Sequence, residues 1–96
     1  MKNEKDEIND RLDKYLALTK EALKKASSHI DKNKEKESEI ILDMAQRYYD
    51  DALYFKSKGK LLLALSAVSY AHGWLDCGSR LGFFEVKDNK LFITKE

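Results

Sequence analysis

Apolar side chains recur along this chain at intervals of three and four residues, in three blocks separated by polar stretches. In the first block Ile8, Leu12, Tyr15/Leu16, Thr19, Leu23, Ala26 and Ile30 fall on one narrow stripe, the spacing of an amphipathic helix. A helix is predicted over about residues 6–30. Its polar side carries Asp10–Lys14 and Glu21–Lys25 at i,i+4 with the acid first, each pair contributing about 0.3 kcal/mol. So narrow a stripe is coiled-coil-like and needs a partner to be stable. Asp31 to Glu37 hold no apolar side chain and predict a connection.

The second block predicts a helix over about residues 38–58. Its stripe is Ile41, Met44/Ala45, Tyr48, Ala52 and Phe55, widened on one flank by Ile40, Tyr49 and Leu53. Gly59 suits the left-handed position just past a helix end, after Lys56 and Lys58, whose charges favour the C-terminal dipole. Leu61 already belongs to the next pattern, so the turn is very short and the second and third helices form an antiparallel hairpin.

The third block, about residues 60–81, organises the chain. One row is Leu61, Ala64, Val68, Ala71 and Leu75; a second is Leu63, Ala67, Tyr70, Trp74, Cys77 and Leu81. Between them runs a strip of small or polar residues, Ser66, Ser69, Gly73, Asp76 and Arg80. A helix apolar on so much of its circumference is expected to be buried at the centre of the fold. Gly82 marks its stop, with Phe83 placed to fold back on the last turn. In the tail, 83–96, the period changes. Phe84/Val86 and Leu91/Ile93 flank a polar KDNK turn, which predicts a short β-hairpin or extended tail, either docked on the helices or mobile. The expected fold is an all-α antiparallel three-helix bundle in a single domain, 1–96.

Composition narrows the function classes. The chain has 96 residues, 36% of them charged, and no proline, so long helices run unbroken. Eighteen basic against seventeen acidic side chains give a net charge of +1, without the basic stripe that nucleic acid asks for. The lysines at 20, 24 and 25 and at 56, 58 and 60 read as solvated faces, with an RNA-associated module a distant alternative. The single cysteine, Cys77, excludes an internal disulfide and a cysteine-cluster zinc site. The start, MKNEKDEIND, is not a signal peptide. The uncharged run from Leu61 to Leu75 falls short of the ~20 apolar residues of a membrane span. A cytoplasmic protein is expected.

The second and third helices carry a more specific pattern: Met44-Ala-Gln-Arg-Tyr48-Tyr-Asp-Asp51-Ala52, Phe55, Gly59-Lys, Ala64-Leu65, and above all Tyr70-Ala-His-Gly73-Trp74-Leu75-Asp76 with Gly78. Over roughly residues 38–84 this resembles the short archaeal proteins grouped as domain of unknown function 357. No generic packing rule asks for Gly-Trp in mid-helix. The resemblance implies a small helical bundle and no established activity, so it brings no catalytic or ligand residues with it.

The candidate functional surface is Tyr48, Asp51, Ser69, Tyr70, Gly73, Trp74 and Asp76. Gly73 costs about 1 kcal/mol relative to alanine in a helix interior. With Ser69 it predicts close packing against a neighbouring helix; the other reading is an approach surface for a ligand or a second protomer. Trp74 reads as a core or subunit-interface anchor whose indole N–H needs an acceptor. Asp76 reads as a surface partner of Arg80, or as a half-buried carboxylate bonded by Tyr48 or Tyr54 across the hairpin. Arg47, Asp50 and Asp51 read as a solvated face, Arg47–Asp51 being i,i+4 in the less favourable order; the other reading has Asp51 face Asp76 across the hairpin as a weak candidate for a divalent metal. His72 and Cys77 lie about 140° apart on a helix and cannot readily share a metal. His29 sits at a helix C-terminus, where a cation is favoured. Glu4, Glu7 and Asp10 mimic half of a pyrophosphohydrolase signature without a second acidic pair, and no phosphate loop or Ser/His/Asp set is present.

No cofactor or metal is called for. The reading is a non-enzymatic protein-interaction or self-associating module, with a homodimer or another protein as partner. A small ligand- or metal-binding protein or enzyme, its site on the face between the second and third helices, is the alternative.

Overall fold

The structure, a computed structural model, describes residues 3–86 together with Leu91. Three α-helices account for most of them: α1 (Glu4–Ser28), α2 (Glu35–Ser57) and α3 (Leu61–Arg80). They pack against one another in an up-down-up arrangement. Near one end Leu12 and Leu16 of α1 meet Ala52 of α2 and Ala64, Ala67 and Val68 of α3. Near the other, Leu23 and Ala26 meet Ile41, Ala45 and Leu75. The interface is rich in alanine, which lets helices approach closely; the fully buried Leu12 and Leu75 each contribute about 1.5–3 kcal/mol.

The ends of the helices follow from local chemistry. α1 starts two residues earlier than its apolar stripe implies, because Asn3 accepts a hydrogen bond from the Asp6 N–H at 2.9 Å and Glu4, Asp6 and Glu7 sit in the first turn. That is the arrangement an N-cap and the helix dipole favour. α1 ends at Ser28 rather than Ile30. Ile30 leaves the helix to form an antiparallel bridge with Phe84, where the Asp31 N–H donates to the Phe83 carbonyl at 3.0 Å and the Glu85 N–H to the His29 carbonyl at 2.7 Å. The connection is shorter than predicted: a single 3-10 turn spans Lys32–Lys34, and α2 begins at Glu35 instead of Ser38. Ser38 is fully buried, its hydroxyl placed for hydrogen bonds to the carbonyls of Lys34 at 2.8 Å and Phe83 at 3.1 Å.

Both predicted glycine stops are present. At the α2–α3 turn the Lys60 N–H reaches the Phe55 carbonyl at 2.9 Å and the Gly59 N–H the Lys56 carbonyl at 3.0 Å. After α3 the Phe83 N–H reaches the Gly78 carbonyl at 2.9 Å and the Gly82 N–H that of Ser79 at 3.1 Å. Each is the double bond of a Schellman motif, and its pivot residues, Gly59 at φ 72° and Gly82 at φ 79°, occupy the left-handed region that glycine enters without steric cost.

The tail does dock. Phe84 and Leu91 are buried with Leu23, Ala26, Ile41 and Leu75. There is no strand among the described residues, and the Ile30–Phe84 bridge ties the tail to the end of α1. The predicted KDNK turn and most of the second arm of the hairpin, including Ile93, lie outside the described residues.

The burial expected for α3 is half right. Ala64, Val68, Ala71 and Leu75 are fully buried, but Leu63, Tyr70 and Leu81 remain 50%, 53% and 53% exposed. α3 touches both α1 and α2 more extensively than they touch each other. In a triangular bundle, however, both neighbours lie toward the same side of a helix, so one face meets both and the opposite face stays in water. For the same reason Ile40 and Leu53, expected to widen the stripe of α2, are exposed, whereas Tyr49 is half-buried.

Candidate functional site

At 100° per residue the exposed surface of α3 divides into two flanks. On the α2 side Tyr70 meets Tyr48 edge to face, ring centroids 4.5 Å apart, and Trp74 in turn lies 6.2 Å from Tyr70 at a near-perpendicular angle. Such edge-to-face pairs contribute about 0.5–1.5 kcal/mol beyond their buried area. Tyr48 and Trp74 are half-buried and Tyr70 is exposed. The Trp74 Nε1–H is shielded from water and has no acceptor among the described residues; the hydroxyl of the buried Ser79 is in the same position. An unsatisfied buried donor costs about 1–3 kcal/mol.

On the α1 side Ser69, Gly73 and Asp76 line a groove of about 250 Å³ with Val68 and His72, its opposite wall formed by Tyr15 and Leu18 of α1. The seven residues of the candidate surface are therefore not one site. Tyr48, Tyr70 and Trp74 come together on one flank of α3, and Ser69, Gly73 and Asp76 on the other. Asp51 belongs to neither: it lines a shallow hollow on α2 with Met44, Arg47, Tyr48 and Asp50. Asp51 and Asp76 thus sit in different hollows. Among the described residues no group of three or more His, Cys, Asp and Glu could hold a metal ion.

One expectation about these residues is overturned. Gly73 is not held by close packing, since a Cβ built there would meet nothing within 4 Å among the described residues. The glycine that packing requires is Gly78, where a Cβ would run into the Phe84 ring and come within 3.2 Å of Ile41 Cγ2. Arg47 and Asp51 are both exposed, as a solvated face requires, and Arg47 looks back along the helix rather than forward to Asp51. Its Nε donates to Asp43 Oδ2 at 2.8 Å, the acid-first order that helix geometry prefers, and this bond raises the Arg47 pKa further. Tyr48 and Tyr54 are engaged elsewhere, Tyr48 with Tyr70 and Tyr54 with Phe55 and the Lys58 ammonium.

One polar side chain that pattern reading set aside makes contacts to three parts of the fold. His72 Nδ1 lies 3.0 Å from Thr19 Oγ1 of α1 and Nε2 lies 2.6 Å from the Leu91 carbonyl. A carbonyl only accepts, so Nε2 carries a proton and donates to it, while Nδ1 and the Thr19 hydroxyl share the second hydrogen bond. Asp76 Oδ1 stands 3.7 Å from Nε2. His72 therefore links α1, α3 and the tail through one ring. The signal was present in the sequence: Thr19 is the one aliphatic hydroxyl in the apolar stripe of α1, and it is fully buried. His29, at the other end of the polar list, has its Nδ1 2.8 Å from the Lys25 carbonyl, where Nδ1–H caps the end of α1.

Elsewhere Lys56 Nζ and Asp13 Oδ1, 2.7 Å apart, tie α2 to α1. Half-buried Tyr49 keeps its phenolic proton above the ordinary range, through burial first and the nearby Asp50 charge second, against the pull of Lys56. No helix among the described residues is long and apolar enough to cross a membrane.

Three short-looped antiparallel helices, an aromatic edge and a small mixed groove define a small all-α protein without a recognisable catalytic constellation among its described residues. Residues 14–84 match the sequence profile of a family described as protein of unknown function (DUF357), and the chain belongs to that family. No curated protein and no solved structure matches it.

Proposed function

We propose that this protein is a non-enzymatic binding module, and that its first partner is a second copy of itself, docked on the outward face of α3. The observation that carries this reading is the uncovered row Leu63, Tyr70 and Leu81, each at least half exposed. The row runs from Leu63 to Leu81, about 27 Å at 1.5 Å per residue step. Leu62, 66% exposed, extends the patch along α3, and the Tyr48–Tyr70–Trp74 edge supplies amphipathic aromatic surface of the kind enriched at interfaces. Contiguous exposed apolar surface on a soluble domain marks an association site. A net charge of +1 leaves little repulsion between copies.

The test is solution mass by light scattering across a dilution series, with Leu63→Glu as the control. The expected result is a dimer for the parent chain and a monomer of unchanged helix content for the variant. A parent chain that stays monomeric at the highest concentration overturns self-association.

A further inference from the structure

The face where α1 meets α2 lies away from the outward row of α3, and its charge is one-sided. The Lys56–Asp13 contact fixes the register of this antiparallel pair. Seven residues along α1 from Asp13 stands Lys20, and seven back along α2 from Lys56 stands Tyr49, about two turns in each case and so on the same flank. Both line one hollow of about 300 Å³ with Leu23, Lys24, Ser27 and Gln46. Its volume falls at the small end of ligand pockets, which run from roughly 300 to 1,000 Å³.

The unspent polar groups of this hollow are mostly donors. Lys20 and Lys24 stand four apart on one flank of α1, where like charges destabilise a helix. Neither ammonium meets an acid among the described residues. The Tyr49 phenol is half-buried and holds its proton above the ordinary range, through burial first and the Asp50 charge second, so at neutral pH its hydroxyl is a donor. Gln46 gives one amide hydrogen to Asp50 Oδ1 at 2.9 Å and keeps the other. The Ser27 hydroxyl is already spent on the Leu23 carbonyl at 2.7 Å. Two carboxylates lie close by. Asp13 is matched by Lys56, and Asp50, tied to Gln46, does not line the hollow. Two ammonium groups against one carboxylate leave the face positive.

We propose that this hollow is a binding site for a small phosphate monoester. Lys20 and Lys24 hold the phosphate from the α1 wall as flexible point charges, a form in which lysine binds phosphate. The Tyr49 hydroxyl and the remaining Gln46 N–H donate to its oxygens from the α2 wall, and the organic part lies over Leu23 and the Tyr49 ring. A phosphate monoester suits the site better than a carboxylate, because it carries nearly two negative charges at neutral pH and three strong acceptor oxygens. Two cations on one wall and two uncharged donors on the other match that count. None of these residues belongs to α3, so the site stands whether or not α3 pairs with a second copy.

The experiment is a titration of the full chain with phenyl phosphate followed by two-dimensional amide NMR, with sodium sulfate and phenol as controls at equal ionic strength. Phenyl phosphate should give saturating shifts confined to residues 20–27 and 46–49, with neither control doing so. A Lys20→Gln/Lys24→Gln variant should weaken the apparent affinity by about tenfold or more, the loss of charge-assisted contacts. A Lys58→Gln/Lys60→Gln variant removes the same net charge at the α2–α3 turn and should titrate within about twofold of the parent, since charge at a distance is screened. Should the first variant unfold, Tyr49→Phe decides the matter: it removes only the hydroxyl and should weaken binding about threefold. Non-saturating shifts, an equal response to sulfate, parent-like titration by a folded Lys20→Gln/Lys24→Gln or Tyr49→Phe variant, or equal losses in the two lysine variants overturns the proposal. Tighter, steeply salt-dependent binding of an unphosphorylated decauridylate would put a nucleic-acid backbone in place of the monoester and overturn it as well.

Discussion

Two glycines five residues apart on α3 are chemically identical and structurally opposite. Beside Gly73 there is open space, whereas a methyl group at Gly78 would collide with Phe84 and crowd Ile41. Gly73→Ala should therefore stabilise the fold by about 0.5–1 kcal/mol, from helix propensity and a less flexible unfolded chain. Gly78→Ala should destabilise it by about 1–3 kcal/mol, because an overpacked core must shift. Urea denaturation of the two variants measures both, and a destabilised Gly73→Ala would show that its site is occupied within the folded chain. Helix spacing placed both glycines on α3, and spacing cannot tell which one meets a neighbour. That depends on where Phe84 lands after the chain turns at Gly82. His72 illustrates the same limit: its register was legible, whereas its partners come from residues 53 positions before it and 19 after it.

Helices and their ends were the most legible part of the chain. The stripes of α1 and α2 and the buried row of α3 follow directly from three- and four-residue spacing. The stops at Gly59 and Gly82 follow from the φ each turn requires. Gly59→Ala should lower stability by about 1 kcal/mol, since alanine at φ 72° suffers the Cβ clash that glycine avoids. Thermal unfolding by circular dichroism tests it, and an unchanged midpoint would mean that the turn relaxes into another geometry. Helix starts were less legible. The polar DKNKEKE stretch reads as a connection, yet its last three residues begin α2, because Ser38 is anchored to the tail at Phe83 and fixes the first turn in place.

Across the whole molecule the tail and the association state carry the consequences. Phe84 and Leu91 complete the cluster around Ala26, Ile41 and Leu75, so these two residues beyond α3 are part of the core. Phe84→Ala should cost about 3–5 kcal/mol, the usual penalty for removing a buried aromatic ring, a large share of the ~5–15 kcal/mol that holds a domain together. Equilibrium denaturation of that variant provides the measure, and a loss under 1 kcal/mol would show that the tail docks without stabilising. The outward row of α3 has the opposite character: Leu63→Glu should leave stability within about 0.5 kcal/mol of the parent while dispersing the dimer proposed above.

Local spacing dictated three helices, their order, their short turns and the faces each must bury, because periodicity and glycine conformations act over a few residues. It also made α3 the most apolar element and put five of the seven candidate residues on it. What spacing left undetermined was which of its faces meets protein and which meets water. Three helices packed as a triangle cover one side of each member, and that geometry turned an apparently buried helix into one with an open apolar row. The same packing separated residues that share a strip on paper. Tyr48 met Tyr70, Asp76 turned toward α1, and Asp51 stayed on the outside of α2. Such juxtapositions depend on rotations between helices, which no sequence of side chains along a single helix records.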